Sequence, residues 1–126
     1  MQRAQLLAFG LEGRLADILR ELAREREVWL REVRHIRTCL NLVRQGGAGA
    51  LVLRLGKNLD REMALLEQVT HLFPTTATIV VGPADNQPLA ALAWDLGAAY
   101  VLFPPQPVES IREVVLGFLN SQKETP

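Results

Sequence analysis

Five short runs of apolar residues punctuate the chain: "AQLLAF" (4–9), "VWL" (28–30), "ALVLRL" (50–55), "ATIVV" (77–81) and "AYVLF" (99–103). Each is continuous rather than alternating, which is how a strand buried on both faces reads. Between the runs the period becomes helical. Leu11, Leu15, Ile18, Leu19 and Leu22 form one stripe; Ile36, Cys39, Leu40 and Val43 a second; Leu65, Leu66, Val69, Leu72 and Phe73 a third. Leu89, Leu92, Ala93 and Leu96 follow, then Val108, Ile111, Val114, Val115 and Phe118. Such stripes are the buried faces of amphipathic helices. Strict alternation with short connections predicts a parallel sheet covered on both faces, with right-handed crossovers.

The punctuation agrees with this division. Gly46-Gly47 stops the second helix, Pro74 the third and Gly97 the fourth. Asn58 or Asp60 caps the third helix, and Asn86 with Pro88 opens the fourth. Pro104, Pro105 and Pro107 must end the last strand, because proline cannot donate to a sheet ladder. Phe103 is thereby left standing at the strand terminus. The expected organisation is one domain over residues 1–120 and a polar tail, or the start of a linker, over 121–126.

Composition narrows the function classes. A chain of 126 residues suffices for one core, and its formal net charge of zero gives no global field toward nucleic acid or membrane. The charge is uneven: residues 1–45 hold nine Arg against six acids. Arg34, Arg37 and Arg44 fall with Asn41 on one side of the second helix, as a solvated face or a surface for an acidic partner; nucleic acid is not expected for this domain alone. A single cysteine, Cys39, precludes an intrachain disulfide and reads as a small core residue. No signal-peptide pattern is seen and no apolar run approaches the ~20 residues that cross a bilayer, so the expected location is cytoplasmic.

The second half of the chain carries a resemblance. "RQGGAGALVLRL" looks like the end of helix two and strand three of the receiver domain of bacterial two-component response regulators. "LLEQVTHLFPTTATIVV" looks like that family's helix three, proline and strand four. "PLAALAWDLGAAYVLFP" is similar to its run A-x-x-A-x-x-x-G-A, aromatic, two apolar residues, Lys and Pro, with Ala90, Ala93, Gly97, Ala98, Tyr100 and Pro104 matching. The resemblance implies a flavodoxin-like (βα)5 three-layer sandwich with a five-stranded parallel sheet in the order 2-1-3-4-5.

The residues that do receiver chemistry do not follow. Receivers hold Mg²⁺ with acids ending strand one and phosphorylate an aspartate ending strand three. A Thr or Ser ending strand four and a Lys ending strand five then hold the phosphoryl group. Here the strand-one acids correspond to Phe9-Gly10 or Gly10-Leu11, and the phosphoacceptor to Arg54 or Leu55. The Thr corresponds to Gly82 or Pro83, and the Lys to Phe103, before the family's usually cis proline. Glu12 alone cannot replace a cation site built from several oxygens. The resemblance therefore implies a pseudo-receiver, with no catalytic residue, metal or cofactor, that works by protein–protein contact with itself or a partner. In receivers the face of helix four, strand five and helix five carries output contacts, which points to Trp94, Tyr100 and Phe103 as the interaction surface. Trp94, at the edge of the fourth apolar stripe, either completes the core or stands half exposed. Phe103 is expected to fold over the vacated pocket with Phe9 and the stem of Arg54.

Other candidate chemistry is thin. "GLEG" (10–13) lacks the full G-x-G-x-x-G spacing and reads as a turn, and "GGAGA" (46–50) as a connector at the amino edge. His35 and His71 lack metal-ligand spacing, and Ser110 and the threonines have no evident base. Arg54 either pairs with a carboxylate such as Glu12 or binds an anion at the carboxyl edge, where open α/β sheets place ligands. The second functional reading is accordingly a small-anion or nucleotide-binding flavodoxin-like domain, resting on Arg54, Lys57 and the Gly10–Gly13 turn.

Overall fold

A computed structural model of the chain describes residues 5–46 and 48–123. Strands and helices alternate: β1 (Gln5–Phe9), α1 (Gly13–Arg26), β2 (Trp29–Val33), α2 (Ile36–Arg44), β3 (Ala48–Arg54), α3 (Leu59–Leu72), β4 (Ala77–Val81), α4 (Gln87–Asp95), β5 (Tyr100–Leu102) and α5 (Ser110–Lys123). The strands are all parallel, in the order β2-β1-β3-β4-β5. This is the flavodoxin-like topology that the alternation and the resemblance predict.

Strand alternation divides the apolar residues between two layers. Leu7, Phe9, Leu51, Leu53, Val80, Val101 and Phe103 face α2, α3 and α4, meeting Cys39, Leu65 and Ala93. Leu6, Ala8, Val52, Ile79 and Leu102 face α1 and α5, meeting Leu19, Leu22, Ile111 and Val115. Each buried Leu, Ile, Val or Phe among them contributes about 2 kcal/mol of hydrophobic stabilisation.

Helix ends fall where the punctuation placed them. The Asn58 side chain accepts the Arg61 N–H at 3.5 Å and that of Asn86 accepts the Leu89 N–H at 3.1 Å. Pro88 lies in the first turn of α4, where its missing N–H costs nothing. Gly97, at φ +105, leaves α4; a Cβ there would lie 2.9 Å from Cβ of Thr70, whose hydroxyl donates to the Leu96 carbonyl at 2.6 Å.

Several expectations need correcting. The second run is not buried on both faces: β2 is an edge strand in which only Val33 is buried, so Arg31 and Glu32 can belong to it. β3 begins at Ala48, inside the glycine-rich connector, and Gly49 is the extra residue between the pairs Gln5–Ala48 and Leu6–Ala50. Glycine tolerates such a bulge readily. The Pro104–Pro105 peptide bond is cis, one position later than the resemblance implies, in a turn closed by the Gln106 N–H on the Phe103 carbonyl at 3.0 Å. α5 runs to Lys123, three residues into the expected tail; Gly47 and residues 124–126 lie outside the described residues.

Candidate functional site

Parallel strands end together, so the strand-terminal residues meet at one carboxyl edge. Phe9 is buried at the end of β1, and Gly10 follows at φ +71 with its N–H on the Val33 carbonyl. Arg54 ends β3, partly exposed, beside the buried Leu55. Gly82 leaves β4 buried, its N–H donating to the Leu102 carbonyl at 3.0 Å. Phe103 leaves β5 only 6% exposed. All five residues expected at this edge are brought to it.

Phe103 and Gly82 are packed as a unit. A Cβ at position 82 would lie 2.3 Å from both Cδ2 and Cε2 of Phe103 and 2.5 Å from its Cγ. The ring therefore occupies the volume in which any side chain at the end of β4 would begin. Phe9 belongs to the same apolar cluster. With so little of its surface free, Phe103 itself can offer almost nothing to a partner, contrary to its expected place on the interaction surface.

The charged residues rearrange the expected pairing. Glu12 does not pair with Arg54; its carboxylate accepts from Nζ of Lys57. That hydrogen bond holds the Glu12 carboxyl below its ordinary range, helped by the fields of Lys57, Arg34 and Arg54. The loop that carries Lys57 is itself pinned. Glu62, in the first turn of α3 and buried, accepts the Gly56 N–H on Oε1 at 2.8 Å and the Asn58 N–H on Oε2 at 3.1 Å. Glu62 was not singled out in the sequence, although it lies three and four residues before Leu65 and Leu66 on the apolar stripe, the one available signal.

These groups do not suit Mg²⁺. One carboxylate held by an ammonium, with two guanidiniums in its field, is no oxygen cage for a hard cation. Among the described residues no three His, Cys, Asp or Glu side chains come together as metal ligands. Cys39 is fully buried and its thiol pushed up to about 12 by desolvation; His35 and His71 are exposed and far from one another along the chain.

Away from the edge, Trp94 is 48% exposed, and its ring meets that of Tyr100 edge-on, with centroids 6.0 Å apart. Leu92, one residue removed from the buried Ala93, is also exposed. Of the two alternatives for Trp94, the structure takes the half-exposed one. Among the described residues no helix is long and apolar enough to cross a membrane.

No family model and no curated protein matches the sequence. Solved structures do match in fold. The chain superposes on a CheY-like response regulator receiver domain protein from Methanospirillum hungatei with a TM-score of 0.79 at 13% identity, covering 98% of each chain. The signal receiver domain of an HD domain-containing protein from Pseudomonas fluorescens gives 0.79 at 17% identity, covering 98% of this chain and 100% of that one. NtrX from Brucella abortus gives 0.75 at 18%, with 97% of this chain matching only 27% of that longer one. The fold is that of receiver domains.

Proposed function

We propose that this chain is a receiver-like signalling module that carries out no phosphoryl transfer and acts by protein–protein contact, with a partner or a second copy, through the face formed by α4, β5 and α5. The observation that carries this reading is the phenyl ring of Phe103 seated directly on Gly82. Phosphoryl transfer is catalysed by positioning and charge neutralisation, largely by a metal. An aromatic ring filling the ends of β4 and β5, with the first-loop carboxylate of Glu12 committed to Lys57, supplies neither. The contact surface rests on Trp94 and Tyr100: a half-exposed tryptophan braced by a second ring is a rigid apolar anchor of the kind interfaces use.

The test is an NMR titration of the labelled chain with Mg²⁺, a small phosphodonor and beryllofluoride. The expected result is no covalent phosphorylation, read as an unchanged intact mass, and no Mg²⁺-dependent shift at the ends of β1, β3, β4 and β5. Covalent phosphorylation, or beryllofluoride shifts centred on Arg54 and Leu55 that require Mg²⁺, would overturn the proposal. For the contact face, sedimentation or pull-down should show association that Trp94→Arg weakens roughly tenfold or more; association untouched by that change would move the surface elsewhere.

A further inference from the structure

Beside the Phe103 plug the carboxyl edge opens into a cleft of about 310 Å³ between the ends of β1 and β3 and the beginnings of α2 and α3. Cations from four separate segments line it: Arg34 from the β2–α2 connection, Arg54 from the end of β3, Lys57 from the pinned loop and Arg61 from α3. Its wall carries one acid, Glu62, whose two oxygens are engaged by backbone amides, while Glu12 nearby is taken up by Lys57. Among the described residues neither a salt bridge nor a hydrogen bond engages the guanidinium of Arg34, Arg54 or Arg61; Arg61 contributes only its backbone N–H, to Asn58. Like charges converging on one concavity repel unless an anion lies between them.

We infer that this cleft binds the phosphate groups of a small phosphorylated ligand, of the diphosphate or oligophosphate class. A guanidinium presents a planar fork of donors that matches phosphate oxygens, and several forks from different elements suit a ligand with more than one phosphate. The cleft's size lies within the range of small-molecule sites. Its rear wall is preorganised, because Glu62 fixes the backbone of Gly56 and Asn58 on either side of Lys57. The start of α2 adds to the field: His35 makes no side-chain cap and the first turn carries no acid, leaving its leading N–H groups uncovered at the Ile36 wall. Gly10 lines this cleft but neither Trp94 nor Tyr100 does, so the site stands or falls apart from the proposed protein contact.

Isothermal titration of the intact chain with pyrophosphate, ADP and orthophosphate at physiological salt tests it. The expected result is saturable binding of pyrophosphate and ADP below about 1 mM, tighter than orthophosphate. Equal affinity for pyrophosphate and ADP identifies the phosphates alone as the ligand; tighter ADP adds a nucleoside to it. Arg34→Ala and Arg61→Ala, both at exposed positions, should each weaken binding roughly tenfold while Arg24→Ala on the distant α1 changes nothing. Folding of each variant is checked by circular dichroism. No binding at several millimolar, or an Arg24→Ala loss equal to that of Arg34→Ala, overturns the inference. So does Arg34-dependent binding of a polyglutamate peptide without any of pyrophosphate, which would make the cleft a docking site for acidic protein segments.

Discussion

A phenyl ring at the end of β5 decides what position 82 is allowed to be. Any Cβ there would penetrate the ring of Phe103, so glycine is required for packing rather than for an unusual backbone angle. In turn Phe103 is held by its neighbours. Phe103→Lys would forfeit about 2 kcal/mol of apolar burial and bring an ammonium into a site built for a ring. We expect a clearly lower melting temperature and no phosphorylation; an unchanged melting temperature would show that the ring is not a plug. Cys39 offers an independent check of the core under α2. Buried and pushed up to about 12, its thiol stays protonated at pH 8, so a disulfide exchange reagent should label the chain only after denaturation. Rapid labelling of the native protein would contradict the packing. The sequence placed Phe103 at a strand end because prolines follow it. It could not disclose Gly82 as its seat, since a contact made by two chain segments meeting across the sheet leaves no local pattern.

Among the elements, those legible in advance were the ones whose local chemistry and tertiary role agree. The caps of α3 and α4 were readable because asparagine and proline carry their geometry with them. β2 was only half readable: an edge strand faces water, so Arg31 and Glu32 interrupt the apolar run without breaking the strand. The Arg20–Glu32 ion pair, at 2.8 Å, ties that strand to α1 and is invisible to periodicity. The loop after β3 is fixed by one side chain, and Glu62→Ala leaves two amides without their charged acceptor. That should cost on the order of 2–3 kcal/mol in urea denaturation, against about 1 kcal/mol for loss of the Asn86 cap in Asn86→Ala. If Glu62→Ala costs no more than Asn86→Ala, the loop is not held as described.

At the scale of the molecule, one architecture carries two different surfaces. The sheet order followed from strand–helix alternation together with the receiver-like run ending at Pro104, whereas only Arg54 and Lys57 of the cationic cleft were legible: Arg34 and Arg61 become their neighbours only when four segments converge at the sheet edge. A zero net charge hid that concentration, because acids elsewhere balance it. The fold is shared with receivers, and the proposal that this chain carries out no phosphoryl transfer rests on the Phe103–Gly82 contact at the ends of β4 and β5. A double-mutant cycle in urea over Gly82→Ala and Phe103→Ala measures that contact most directly. The account predicts that Gly82→Ala costs about 2 kcal/mol or more in the native background and less than about 0.5 kcal/mol once Phe103→Ala has removed the ring, a coupling above about 1.5 kcal/mol. Equal costs in the two backgrounds would mean that the ring does not sit on Gly82, and the packing that carries the proposal would be contradicted.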